Sequence, residues 1–143
     1  MIRKVHIFAG VKGEALAALE DACRRQTAAK GALIVREGTP GRRMFLIGQG
    51  RVEVIKAGPS GETRLAELGA GNFFGEMSIM ECSKRSASIR ALEPTVLYRL
   101  ERGDLLRIFQ KWPAQYAILI HNIARDVCRR LREMDKVFAA KAY

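Results

Sequence analysis

The stretch Phe74–Ala91 reads FGEMSIMECSKRSASIRA. Its opening pair, Gly75-Glu76, joins a residue without a Cβ to a carboxylate. The glycine lets backbone approach a ligand closely, and the carboxylate accepts hydrogen bonds from sugar hydroxyls. Farther along stands Arg85, whose planar fork matches a phosphate. Between them, Met77–Met80 has room for one helical turn, whose free N–H groups would face an anion. A sugar acceptor, a phosphate cation and backbone donors therefore share one short loop.

Short β-rich runs precede and follow this loop, separated by turn residues. Leu33–Arg36, Met44–Gly48, Val52–Lys56 and Arg64–Leu68 read as strands before it. Thr39-Pro40-Gly41, Gln49-Gly50 and Gly58-Pro59-Ser60-Gly61 are the turns, and Gly69–Asn72 leads into the loop. Ser86–Leu92 and Thr95–Leu100 follow, broken at Glu93-Pro94. Many short strands with glycine turns predict a sandwich or barrel.

Helical texture flanks this β region on both sides. Leu16, Leu19 and Cys23 recur at helical spacing, predicting a helix over about 12–25. Its start is weakly capped, since Lys12-Gly13 offers no Ser, Thr or Asp. Near the other end, Asp104 is placed to cap a helix over 104–111. Pro113 suits the first turn of a last helix over 113–140. On that helix Tyr116, Ile120, Ile123, Val127, Leu131, Met134 and Phe138 share one face. Arg125, Arg129, Arg132 and Lys136 share nearly the opposite face. The reading is an α+β chain: one domain over 1–143, with a β region over about 31–100, an N-terminal helix and two C-terminal helices.

The loop resembles the phosphate-binding cassette of the cyclic nucleotide-binding domain family. The resemblance runs from about Val11 to about Phe138. It implies an antiparallel β-roll, a jelly-roll-like double sheet. It also implies a ligand, cAMP or cGMP, with no other cofactor. By the resemblance, Glu76 holds the ribose 2′-hydroxyl and Arg85 pairs with the cyclic phosphate. Gly75, Ser78 and Ser86 approach the ligand largely through backbone, and Phe74, Met77 and Ala87 complete the cassette. Val54 and Leu65 match strand positions lining the family's pocket, and Arg130 stands where relatives close a lid over the base. Asn72, where many members carry Asp, and Thr39, where an acidic residue is common, depart from the family pattern.

Composition excludes several other classes. Three cysteines (Cys23, Cys82, Cys128) lack metal or disulfide spacing. His6 and His121 are far apart, so no metal site is expected, and with no nucleophile-elbow pattern no catalytic residue is expected either. Apolar runs such as Ala117–Ile120 are far too short to span a bilayer. Residues 1–8 lack a signal-peptide core, so a cytoplasmic location is expected. The net charge of +10 suits a polyanionic partner or simply a basic surface. No DNA-reading helix pair is evident.

The expected function is a stand-alone, non-catalytic cyclic nucleotide sensor that signals by repositioning its last helix. A downstream protein could use that helix's basic face, and a homodimer through its apolar face is left open. The alternative is an interaction module that keeps the fold without needing nucleotide.

Overall fold

The computed structural model describes residues 5–76 and 84–142, without the side chains of 137, 138, 141 and 142. Met77, Ser78, Cys82 and the helical turn expected at Met77–Met80 lie outside the described residues, as does the side chain of Phe138.

A 3-10 turn at His6–Phe8 precedes α1 (Gly13–Ala22). Eight strands follow among the described residues: β1 (Arg24–Ala28), β2 (Leu33–Val35), β3 (Arg43–Gln49), β4 (Arg51–Gly58), β5 (Gly61–Gly69), β6 (Phe73–Phe74), β7 (Ser88–Ala91) and β8 (Thr95–Glu101). Two helices, α2 (Arg102–Lys111) and α3 (Pro113–Ala142), close the order. The strands form two four-stranded sheets, ordered β1-β8-β3-β6 and β2-β7-β4-β5. Every pairing is antiparallel. This is the double sheet expected, with helices on both flanks.

The apolar run Met44-Phe45-Leu46-Ile47 explains how the layers stack. Successive strand side chains point to opposite faces. Phe45 and Ile47 join Val52, Phe74, Ile89 and Leu97 between the sheets. Met44 and Leu46 join Leu19, Phe73, Leu100, Leu105, Leu119 and Ile123 beneath the helices. Strand β3 is therefore buried on both faces, which is why its apolar residues run on without alternation. Phe45 and Phe74 stack with ring centroids 5.0 Å apart. Gly38, Gly50, Gly61, Gly71 and Gly75 all take positive φ, which only glycine adopts without strain.

Three boundaries differ from expectation. The first helix stops at Ala22, and Arg24–Ala28 turns away to pair with β8. The roll thus begins at Arg24 rather than near residue 31. This strand reads RRQTA and is largely exposed, so it carries no apolar alternation to reveal it. The two-residue β6 also escaped notice, because it is shorter than any periodic signal. Finally, α2 begins at Arg102, capped by Glu101. Asp104 stands at its third position and accepts the Glu101 N–H at 2.9 Å, one half of a reciprocal capping box.

The last helix packs over only part of its length. Leu119 and Ile123 are buried, and Tyr116, Ile120 and Val127 pack against the same cluster. Leu131 and Met134 are 54% and 41% exposed, so the expected apolar face loses its cover beyond Val127. Asn122 fastens the buried part: its Nδ2 donates to the carbonyls of Ile7 at 2.8 Å and Ala9 at 2.7 Å.

Candidate ligand-binding site

Where β6 ends, Gly75 turns the chain with φ +85°. A Cβ at this position would lie 2.8 Å from the Arg43 carbonyl oxygen and 2.8 Å from Arg85 Nη1. Only glycine fits, and its successor Glu76 is thereby delivered to the cavity's edge. From the opposite direction comes Arg85, clamped by its backbone. Its N–H donates to the Thr39 carbonyl at 2.8 Å, and its carbonyl accepts the Gly38 N–H at 2.9 Å. The Glu37-Gly38-Thr39 turn is itself fixed, since the Glu37 N–H donates to Ser88 Oγ at 2.8 Å. Glu37 Oε1 also accepts the Ala57 N–H at 3.0 Å.

The Arg85 side chain runs through a slot beside Gly41. A Cβ there would lie 2.1 Å from Arg85 Nε. Arg85 is only 9% exposed, and its buried Nη1 finds no hydrogen-bond partner among the described residues. Burial lowers its pKa, the nearby Arg43 charge lowers it further, and Glu76 acts in the opposite sense. Arginine nonetheless stays charged at any ordinary pH. A buried cation without a full set of partners is costly, and its charge and free donor suit an anion.

These groups meet at a cavity of about 110 Å3. Phe74, Gly75, Glu76, Arg85, Ser86, Ala87, Val54 and Arg130, all singled out in the sequence, line it. Leu65 does not. The β4–β5 register slips between Val54 and Ile55, whose partners are Ala66 and Arg64. Leu65 is the extra residue of that bulge, and it is 40% exposed. The wall that β5 contributes is Leu68 instead, joined by Val35 and Ile89. Sequence reasoning missed these three residues because they look like any other core position.

Arg130 enters from α3 and is held on several sides. Its Nε lies 3.0 Å from Asp126 Oδ2, and its Nη1 lies 3.7 Å from Glu76 Oε1. Its Nη2 donates to the Phe73 carbonyl at 2.6 Å. The guanidinium carbon stands 4.3 Å from the Phe73 ring centroid, within cation–π range. The side chain expected over a base is here joined to the carboxylate expected to hold the ribose. Ser86 is exposed, and its carbonyl accepts Lys56 Nζ at 2.8 Å. Among the described residues no group of three or more His, Cys, Asp or Glu is placed to hold a metal ion. No described helix is long and apolar enough to cross a membrane.

The family model for the cyclic nucleotide-binding domain matches residues 25–111, which include both sheets and the whole cassette. The chain belongs to the cyclic nucleotide-binding domain family. As a member of it, the chain is 37% identical over 113 residues to the cyclic AMP receptor protein of Thermus thermophilus, covering 78% of this chain and 50% of that one. It is 39% identical over 111 residues to the cGMP-dependent protein kinase, isozyme 1, of Drosophila melanogaster, covering 75% of this chain and 14% of the kinase. The chain thus spans half or less of these two relatives. Among solved structures, a cyclic nucleotide-binding domain from Methylobacillus flagellatus superposes with a TM-score of 0.89 at 28% identity, covering 98% of this chain and 83% of that one. The catabolite activator protein of Thermus thermophilus superposes at 0.79 with 33% identity, covering 95% and 62%.

Proposed function

We propose that this cyclic nucleotide-binding domain binds cAMP or cGMP in the cavity between Glu76 and Arg85. Binding is then relayed through Arg130 to α3, with no catalysis by the chain itself. The observation that carries the reading is the buried Arg85 Nη1, without a hydrogen-bond partner among the described residues, in a cavity that also holds a carboxylate. A cyclic phosphate supplies the missing acceptor. The ribose hydroxyl donates to Glu76, and Val35, Val54, Leu68 and Ile89 offer apolar walls to the base.

Helix repositioning follows from volume and contact. The cavity of about 110 Å3 is well below the roughly 300–1,000 Å3 of ordinary small-molecule pockets. Arg130 is one of its walls and contacts Glu76, so a ligand that takes Glu76 must rearrange Arg130 and with it α3. Ligand binding shifts the helix only by its affinity difference between the two arrangements. The relatives' names include both a cyclic AMP and a cGMP protein, in keeping with a site built chiefly for ribose and phosphate.

The test is calorimetric titration of the chain with cAMP and cGMP, repeated on Arg85→Ala. Truncating one member of a buried charge pair costs about 2–5 kcal/mol. Affinity is therefore expected to fall by about 30-fold to several-thousand-fold. Equal affinity of wild type and variant would overturn the reading.

A further inference from the structure

A second and larger cavity, about 390 Å3, opens on the other side of Arg85. It lies under the turn between β2 and β3. Among the described residues four arginines line it, Arg36, Arg42, Arg43 and Arg85, and no carboxylate does. Arg43 is partly neutralised by Glu101, whose Oε1 lies 2.7 Å from its Nε. Arg36 and Arg42 make no ion pair with any described carboxylate.

The Arg85 guanidinium is shared between the two cavities. A Cβ on Gly41, which lines the larger one, would meet Nε at 2.1 Å and Nη2 at 2.7 Å. A Cβ on Gly75, which lines the smaller one, would meet Nη1 at 2.8 Å. Arg85 thus lines both cavities. Like charges gathered without a counterion repel one another, and a guanidinium fork binds phosphate oxygens in pairs.

From this arrangement we infer that the larger cavity is a second anion site. It takes a phosphate-bearing ligand beside Arg85, gripped by Arg36 and Arg42. The ligand class is a diphosphate, either inorganic pyrophosphate or the diphosphate of a nucleotide. Because one guanidinium serves both sites, two anions bound together repel each other and divide its hydrogen bonds. Each ligand should weaken the other by the same factor.

The experiment titrates the full chain with pyrophosphate and with ADP, then repeats both on Arg42→Gln and Arg36→Gln. Pyrophosphate or ADP is expected to bind wild type, and each substitution to weaken that binding at least about tenfold. Whichever probe binds more tightly identifies the source of the diphosphate. Neither substitution touches the nucleotide cavity, so cyclic nucleotide affinity measured without diphosphate should stay within about twofold of wild type. Saturating pyrophosphate should raise the apparent Kd for cyclic nucleotide to a plateau of about fivefold or more, the usual scale of site–site coupling. Diphosphate binding that ignores Arg36 and Arg42, or no binding at millimolar concentration, overturns the proposal. So does a rise in apparent Kd without a plateau, which would put the diphosphate in the cyclic phosphate's own place. Failure of cyclic nucleotide to bind, with Arg42-dependent diphosphate binding intact, would sink the cyclic nucleotide reading and leave this one standing.

Discussion

Gly41 carries more of the site than its chemistry suggests. Its φ lies outside the left-handed region, so its backbone would accept alanine. What forbids a side chain is the Arg85 fork, 2.1 Å from where a Cβ would sit. Gly41→Ala should keep the fold and push the guanidinium out of its slot. The expected loss of cyclic nucleotide affinity is at least about tenfold, or 1.4 kcal/mol, with the melting temperature nearly unchanged. Calorimetry and a thermal melt on the same sample check both halves. Gly75, Glu76 and Arg85 were legible in the sequence because their chemistry is local: a bend, a carboxylate and a fork at short spacing. Gly41 was not, because its importance depends on a side chain that arrives from 44 positions later in the chain. The same limit applies to Leu65 and Leu68. Period-two reasoning places either one on a face, but only a bulge decides which of them reaches the cavity.

Among the elements, the β5-β4-β7 side of the roll is tied by a charge cluster. Glu53 on the central strand is 8% exposed and receives Arg64 Nε and Arg90 Nε, each at 3.1 Å. Burial pushes the Glu53 carboxyl up, but hydrogen bonds from Arg90 and Arg64 and their charges outweigh it, and its pKa falls below the ordinary value. A carboxyl with a depressed folded pKa stabilises the protein above its unfolded pKa, about 4.3 for glutamate. That contribution is lost as pH falls through the folded value. Glu53→Gln should therefore melt at a lower temperature than wild type at pH 7. The gap should narrow as pH descends below about 4. Melting temperatures across pH 3–7 provide the check, and a gap that stays constant would count against the linkage. Elements were unevenly legible. The last helix declared itself through 3.6-residue periodicity, and β3 through its apolar run. Strand β1, polar and at a sheet edge, is held by backbone pairing to β8, which leaves no trace in side-chain hydrophobicity.

For the whole molecule, the decisive link is the one between cavity and helix. Arg130 joins Glu76, Asp126 and the Phe73 carbonyl, so on the proposed reading it is the described side chain through which ligand binding at Glu76 would reach α3. Hydrogen exchange over Val127–Met134 should change when cyclic nucleotide binds, slowing if the helix closes on the base. In Arg130→Ala the same segment should respond by less than half as much, even when the ligand is saturating. An undiminished response would place the link elsewhere. The order of strands in the two sheets was not legible in the sequence, since periodicity names elements but not their neighbours.

Asn122 makes one more whole-molecule arrangement, binding the carbonyls of Ile7 and Ala9 from the middle of α3. In mechanical terms, the 3-10 turn is riveted both to α3 and, through the His6 N–H on the Gly71 carbonyl at 3.2 Å, to the roll. A pull applied near residue 5 would load α3 and the β5–β6 turn together. Any displacement of that helix would therefore be felt ahead of the 3-10 turn, and a load there would in return drag on the helix.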